Sequence, residues 1–147
     1  MAYEKLALPL FQKCMGESRS VGILFIDADH LKYINDNFGH DMGNLAISNI
    51  ASVIQRHCPL NAIAMRYGGD EFVCVIPGTD QQQLVLLEQQ ITDSLSGLSE
   101  NNLFDFPIEA SIGFVIADNP ELSLNDYINF ADEKMYAVKK ARRAARK

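Results

Sequence analysis

The sequence has no tryptophan, only five prolines and only three cysteines among its 147 residues. The cysteines, Cys14, Cys58 and Cys74, are odd in number and lack the spacing of metal ligands, which disfavours both a disulfide framework and a zinc site. Unpaired thiols of this kind are typical of a cytoplasmic protein, and the apolar run around Cys74 predicts a core position for it. No apolar run approaches the roughly 20 residues of a membrane-spanning helix.

Basic residues are scarce except near the C-terminal end. Thirteen basic and nineteen acidic residues give a net charge of −6, and seven of the thirteen lie in residues 134–147. A basic end of this kind can bind nucleic acid or a membrane, but it is also typical of a solvated helix end or of a triphosphate site. No basic patch with interleaved aromatic residues occurs elsewhere, so nucleic-acid binding is not expected.

The most informative segment is Gly-Gly-Asp-Glu at residues 68–71. It joins two short apolar runs, residues 62–65 and 72–77, and this pattern predicts a β-hairpin. We expect the turn to project the carboxylates of Asp70 and Glu71 out of the sheet. Magnesium prefers such oxygen ligands together with substrate phosphates. The simpler alternative is an acidic turn, since glycine and aspartate are ordinary turn residues.

A second pair of acids follows the apolar run from Val21 to Ile26, which predicts a buried strand. Asp27 and Asp29 are two residues apart, so they share a face if the strand continues and can diverge if the chain turns. An isolated Asp-x-Asp is a weak signal. Together with the hairpin, however, it indicates two sources of carboxylates that converge on one metal site.

Hydrophobic periodicity predicts alternating helices and strands. Helices are expected at residues 3–15, 31–37, 43–57, 80–98 and 122–147, and strands at 21–26 and 106–117 on either side of the hairpin. Asp80 is the predicted N-cap of its helix. This order, with 48% hydrophobic and 22% charged residues, favours one soluble domain built as a layered α/β sheet.

The sequence resembles the GGDEF domain, the diguanylate cyclase family. The matching segments are 27–32, 34–36, 39–40, the hairpin, 111–113, 131–132, Tyr136, Lys139 and Arg143. They cover nearly the whole chain in the order of the family. The resemblance implies a ferredoxin-like palm, as in class III nucleotide cyclases, with a central, mainly antiparallel sheet flanked by helices. It also implies that a homodimer of such domains makes cyclic di-GMP from two GTP molecules and releases pyrophosphate.

The resemblance also implies a role for each matching residue. The metal ligands, for Mg²⁺ or Mn²⁺, would be Asp27, the carbonyl of Ala28, Asp70 and Glu71. The catalytic residues would be Asp70 as candidate proton acceptor, Glu71 and Lys32. Substrate would be bound by backbone amides around His30, Leu31 and Lys32, by the cations of Lys139 and Arg143, and by Asn35, His40 and Asn44 on the guanine side.

Several of these positions have simpler interpretations. Lys139 and Arg143 are one helical turn apart, and such pairs are usually solvated surface. Asn35 is also typical of a residue that caps a turn, and His40 follows a glycine at a predicted helix start, where a capping or packing role is common.

The chain departs from the family pattern at three places. Asn44 stands where the family has an aspartate. The Arg-x-x-Asp product-inhibition site would fall on Pro59 and Ala62, so it is absent. Residues 142–144, Arg-Arg-Ala, stand in place of Gly-Arg-Asn and keep only its arginine.

Two classes of function follow from this sequence. The first is an active diguanylate cyclase, favoured by the intact Asp27, Asp70 and Glu71. The second is a GTP-binding regulatory module with little or no turnover; a cyclase that also accepts ATP is a variant of the first, suggested by Asn44. The family's preceding segment is not in the sequence, so we expect residues 1–147 to be a single catalytic domain cut from a larger signalling protein with an upstream sensory or dimerising domain.

Overall fold

The predicted alternation of helices and strands is confirmed by the structure, a computed structural model that describes residues 2–100 and 104–145. The chain begins with a π-helical turn, Tyr3–Ala7, that leads into the first helix. The helices are α1 Leu8–Gly16, α2 Leu31–Phe38, α3 His40–His57, α4 Gln81–Glu100 and α5 Leu124–Ala145. The strands are β1 Val21–Ala28, β2 Ile63–Arg66, β3 Glu71–Pro77 and β4 Ala110–Ala117. In the part of the chain described, no helix is long and apolar enough to cross a membrane.

Some predicted boundaries were wrong, and each error has a local cause. β4 begins at Ala110 and not at residue 106, because Pro107 has no N–H for the ladder. The backbone groups on either side of Pro107 bond to the side chain of Ser99 instead. The Ser99 hydroxyl donates to the backbone oxygen of Phe106 at 3.1 Å and accepts from the backbone N–H of Ile108 at 3.0 Å. Residues 146–147 of the predicted final helix lie outside the described residues.

Two further boundaries follow from capping. α3 begins three residues earlier than predicted, directly after Gly39, whose φ of 93° separates α2 from α3. The predicted N-cap at the start of α4 is confirmed, since the backbone N–H of Gln83 donates to Oδ1 of Asp80 at 2.8 Å.

The sheet has the strand order β2-β3-β1-β4, and every neighbouring pair is antiparallel. Helices cover both faces, which confirms the predicted fold class. Alternate residues of β1 point to opposite sides. Leu24 and Ile26 pack into a core with α3 and α4, whereas Ile23 and Phe25 pack into a second core with α1 and α5. Asp27 continues this second row, and its side chain therefore faces α5.

α5 lies unusually close to β4, and a glycine makes this approach possible. A Cβ at Gly113 would overlap the backbone oxygen of Ala131 and the backbone nitrogen of Met135. Gly113 is paired with Phe25 of β1, in the middle of the face that α5 covers. The absence of a side chain there lets the second half of α5 run across the end of β1.

Candidate functional site

Three polar residues form a row across the sheet under α5. Asp27 of β1 is paired with Glu71 of β3 on one side and with Ser111 of β4 on the other. Because paired residues on neighbouring antiparallel strands point to the same face, all three side chains are directed towards α5. On this face of the sheet, two carboxylates and a hydroxyl therefore follow the apolar side chains of the core.

The hairpin differs from the prediction in one respect. Glu71 does not project out of the sheet from the turn but is the first residue of β3, and only Asp70 lies in the loop. The reason is that the backbone N–H groups of Tyr67 and Gly68 both donate to the backbone carbonyl oxygen of Glu71, at 2.7 and 3.2 Å. These bonds close a four-residue loop. The backbone N–H of Ala28 donates to the backbone carbonyl oxygen of Asp70 at 2.8 Å, and this bond joins the loop to the end of β1.

Burial and neighbouring carboxylates raise the pKa of Asp27 and that of Glu71. Burial is the main reason that the pKa of Asp27 lies above its usual value; Lys139 opposes this increase, while Asp70 and Asp29 add to it. Burial also raises the pKa of Glu71, followed by the charges of Asp27, Asp70 and Asp132. The three predicted acids, Asp27, Asp70 and Glu71, therefore lie within electrostatic range of one another.

Lys139 lies between the two acids of the Asp-x-Asp segment. Its Nζ is 3.1 Å from Oδ2 of Asp27 and 3.6 Å from Oδ1 of Asp29. The two acids therefore lie on the same side, which is the first of the two arrangements that the sequence left open. The side chains of Lys139 and Asp27 are only 16% and 14% exposed, so this ion pair is partly shielded from solvent.

Asp29 is buried, 7% exposed, and its carboxylate is held from three sides. Ser111 Oγ lies 2.9 and 3.0 Å from its two oxygens, and Arg142 Nη1 lies 3.1 Å from Oδ2. Lys139 supplies the third contact. The second acid of the segment thus acts as a structural anchor between β4 and α5, because both of its oxygens are already paired.

The donors around Asp27 suit a hard divalent cation. Oδ1 of Asp27 is buried and has no hydrogen-bond partner among the described residues, and an orphaned carboxylate oxygen is an available ligand. The neighbouring donors are the carboxylates of Asp70 and Glu71, of the type that Mg²⁺ prefers. Within residues 2–100 and 104–145, however, no three acidic, histidine or cysteine side chains are already arranged to hold an ion. The residues fit the ion chemically, with Lys139 on the other oxygen of Asp27.

The predicted phosphate-binding segment is the turn between β1 and α2. His30 is exposed and has a φ of 63°, so the chain makes a left-handed step immediately before Leu31 starts the helix. His30, Lys139 and Arg143 line one small cleft, together with Asp29 and Arg142. The structure therefore brings two of the predicted cations to the predicted amide segment. Lys32 is exposed on the first turn of α2.

The residues predicted for the guanine side lie on α2 and α3, whereas the acids lie on β1, on β3 and in the loop before β3. Asn35 packs against Gly43, where any Cβ would overlap its Oδ1. Asn44 follows Gly43 and is exposed, and His40 is exposed at the first position of α3. Asn35 and Asn44 thus lie on two helices that meet at the contact between Asn35 and Gly43.

Arg142 is a site residue that no pattern in the sequence indicates, and the electrostatic effect of Asp132 on Glu71 is equally unsignalled. Arg142 lies 113 positions from Asp29 along the chain, and no local pattern links them. Ser111 belonged to a recognised motif, but its bond to Asp29 was not anticipated. Its position opposite Asp27 in the register is what makes that bond available.

Comparison with known proteins gives consistent results. The family model described as "Diguanylate cyclase, GGDEF domain" matches residues 2–145. The probable diguanylate cyclase DgcC of Escherichia coli K12 is 32% identical over 134 residues, which are 90% of this chain and 36% of that protein. The probable diguanylate cyclase DgcJ of the same strain is 35% identical over 131 residues, which are 87% of this chain and 25% of that protein.

A similar fold is found among solved structures. The GGDEF domain of DgcB from Caulobacter crescentus, crystallised with c-di-GMP, superposes with a TM-score of 0.86 at 26% identity. The match covers 95% of this chain and 84% of that one. The curated relatives DgcC and DgcJ, in contrast, are much longer than the segment that the chain matches.

Proposed function

Because the chain belongs to the GGDEF domain family, the family of the diguanylate cyclases, we propose that it condenses two GTP molecules into cyclic di-GMP and releases two pyrophosphates. The observation that carries this proposal is the row of Asp27 and Glu71 beneath α5. Lys139 lies on one oxygen of Asp27, and the other oxygen has no partner among the described residues. This arrangement supports a site for a metal ion beside a cation that can neutralise phosphate.

The metal ion proposed is Mg²⁺ or Mn²⁺, held by Asp27, the carbonyl of Ala28, Asp70 and Glu71. When bound, such an ion neutralises phosphate charge and favours attack at phosphorus. Asp70 is well placed for this group because its loop is hydrogen-bonded to Ala28 at the end of β1.

The triphosphate of GTP is proposed to bind in the cleft between the β1–α2 turn and the end of α5. The backbone amides of His30, Leu31 and Lys32 lie at the start of a helix, where anions are stabilised. The side chains of Lys139 and Arg143 line the same cleft and supply positive charge. Lys32, on the exposed first turn of α2, adds a further cation.

The guanine is proposed to bind between α2 and α3, with Asn35 and Asn44 towards its edge and His40 nearby. In the reaction, the 3′-hydroxyl of one GTP attacks the α-phosphorus of the other and loses its proton to a hairpin carboxylate. Asp70 and Glu71 are the two candidate acceptors, and burial followed by the neighbouring acids raises the pKa of Glu71.

Two GTP molecules must face each other, and the described residues form one cleft of this kind, so we propose that two copies of the domain act together. We also propose a cytoplasmic location, where GTP is available. The test is incubation with GTP and Mg²⁺ followed by mass spectrometry for the cyclic dinucleotide. The rate should increase more steeply than linearly with protein concentration, and Asp27→Ala should abolish it.

A GTP-binding regulatory module is the second candidate, and Asn44 is the observation that favours it. Calorimetry with GTP distinguishes the two. Tight GTP binding without cyclic dinucleotide, from nanomolar to high micromolar protein, would establish the regulatory module and reject the cyclase.

A further inference from the structure

Arg142 lines the proposed triphosphate cleft together with Asp29, and its guanidinium group is bonded to that acid and to the backbone of Ala110. Resting on the function proposed above, we infer that Arg142 is a positioning residue: by neutralising and holding Asp29, it leaves Lys139 available to Asp27 and to the triphosphate. Arg142 stands at a position where the chain departs from its family pattern, and its contacts show what this departure does.

The guanidinium group of Arg142 makes two contacts through one nitrogen. Nη1 donates to Oδ2 of Asp29 at 3.1 Å and to the backbone oxygen of Ala110 at 2.6 Å. Ala110 is the first residue of β4, and Asp29 immediately follows β1. Arg142 therefore fixes the last turns of α5 to the ends of two neighbouring strands. Lys139, one turn earlier, and Arg143, the next residue, are held against the same edge.

The second part of the inference concerns charge. Asp29 is 7% exposed, and a carboxylate buried to this extent needs a compensating cation. Among the described residues two cations are paired with Asp29, and Arg142 is the nearer at 3.1 Å against 3.6 Å for Lys139. With Arg142 in place, Lys139 lies closer to Asp27, at 3.1 Å. Without Arg142, Lys139 becomes the only cation on Asp29 among the described residues, and it is drawn away from Asp27 and from the cleft.

One other acid lies near Arg142. Burial raises the pKa of Glu88 on α4, and the charge of Arg142 partly opposes that increase. An effect transmitted through Glu88 must therefore be separated from one transmitted through Asp29. Lys140 provides a second control, because it is an exposed cation on the same helix, two residues from Arg142.

The experiment measures binding of a GTP analogue with a methylene group between the α- and β-phosphorus, in the presence of Mg²⁺, by calorimetry. Loss of a charged hydrogen-bonding group should weaken binding to Arg142→Gln roughly tenfold. The matched change Lys140→Gln, which alters the net charge equally at an exposed site, should change binding by less than about twofold. Glu88→Gln should behave like Lys140→Gln. Arg142→Lys, which keeps the charge but not the fork of donors, should give an intermediate affinity.

A double variant separates positioning from general loss of structure. The double variant Asp29→Asn with Arg142→Gln has no negative charge at position 29 to capture Lys139. It should therefore bind the analogue more tightly than Arg142→Gln alone. A structural role would make the double variant as weak as the single one or weaker. Thermal unfolding shows that each variant is folded.

The outcomes also distinguish this inference from the proposed cyclase activity. If wild-type protein makes cyclic dinucleotide and Arg142→Gln binds the analogue as well as wild type does, the inference is wrong and the activity stands. If wild-type protein makes none but binds the analogue, and Arg142→Gln alone weakens that binding with rescue in the double variant, the activity is wrong and the inference stands. Failure of the double variant to recover affinity rejects the inference in either case.

Discussion

The ammonium nitrogen of Lys139 lies 3.1 Å from Oδ2 of Asp27, the acid proposed as the first metal ligand. A cation in this position opposes a second cation on the same carboxylate, but it attracts phosphate. Lys139→Met should therefore change two affinities in opposite directions. Mn²⁺ alone should bind roughly two- to fivefold more tightly, whereas the GTP analogue should bind more weakly. Both are measured by titration calorimetry, the first without nucleotide.

Lys140→Met is the matched control for this prediction, because Lys140 is the exposed neighbour of Lys139 on α5. It should leave both affinities close to those of wild type. Parallel loss of Mn²⁺ and nucleotide binding in Lys139→Met would contradict the prediction, since it would mean that Lys139 helps to form the metal site.

Asp27→Asn should leave the metal-free domain as stable as wild type or more stable at neutral pH. Burial is the main reason that the pKa of Asp27 exceeds its ordinary 3.8 in the folded protein. The folded state thus retains the proton to a higher pH than the unfolded chain does. Ionisation lowers the free energy of unfolding as the pH rises through the window above 3.8, and asparagine does not ionise.

Urea unfolding of both proteins across this pH range, with a chelator present, measures the effect. The stability of Asp27→Asn relative to wild type should increase from acidic to neutral pH. If the asparagine variant instead loses stability as the pH rises, the ion pair with Lys139 outweighs burial and the neighbouring acids.

The thiol pair between α3 and β3 predicts selective alkylation. The sulfurs of Cys58 and Cys74 lie 3.7 Å apart. The hydrogen bond between them lowers the pKa of Cys58 from its ordinary 9.0, against the effect of burial, and raises that of Cys74, which is fully buried. Iodoacetamide at neutral pH should modify Cys58 first, as read by peptide mass spectrometry, while Cys74 and the buried Cys14 stay protected.

Cys74→Val provides the control, because it removes the hydrogen-bonding sulfur and keeps an apolar side chain in β3. The alkylation of Cys58 should then become slower at the same pH. Faster or equal alkylation in Cys74→Val would show that exposure, and not the neighbouring thiol, determines the reactivity of Cys58.

Asn44→Asp should strengthen the preference for GTP over ATP. The guanine edge presents two donors, and a carboxylate offers two acceptor oxygens where the asparagine amide offers one. The difference corresponds to about 1–3 kcal/mol, or roughly ten- to a hundredfold in GTP affinity. Adenine presents one donor and one acceptor, which an amide can match. Affinities of both nucleotides for both proteins are the measurement, and an unchanged GTP-to-ATP ratio would refute the role of Asn44.

Much of this structure could be predicted from local patterns. The order of helices and strands follows from hydrophobic periodicity. For Asp27 and Asp29 the sequence left a shared face and a divergence open, because β1 ends at Ala28, between the two acids. The pairing of Asp27 with Glu71 was anticipated only as convergence of two acidic segments. The position of Glu71 outside the turn depends on backbone hydrogen bonds to its carbonyl oxygen, and no sequence pattern specifies these bonds.

The part that could not be predicted depends on contacts between distant segments. Arg142 reaches Asp29 because Gly113 allows α5 to lie close to the sheet, and this approach depends on packing along the whole of α5. A basic helix end gives the same local pattern whether its side chains are solvated or paired with a buried acid. Only the three-dimensional arrangement separates Arg142, which is paired, from the exposed Lys140.

The two sources of carboxylates differ in how their backbones are held. Asp27 lies on an inner strand with Glu71 on one side and Ser111 on the other, whereas Asp70 lies in a loop. Amide groups in a loop open to solvent far more often than those inside a sheet. An ion that joins both sources would damp the motion of the hairpin and leave β1 almost unchanged. Binding of the ion would thus be detected as slower opening of the amide groups in the hairpin loop, and not of those in β1.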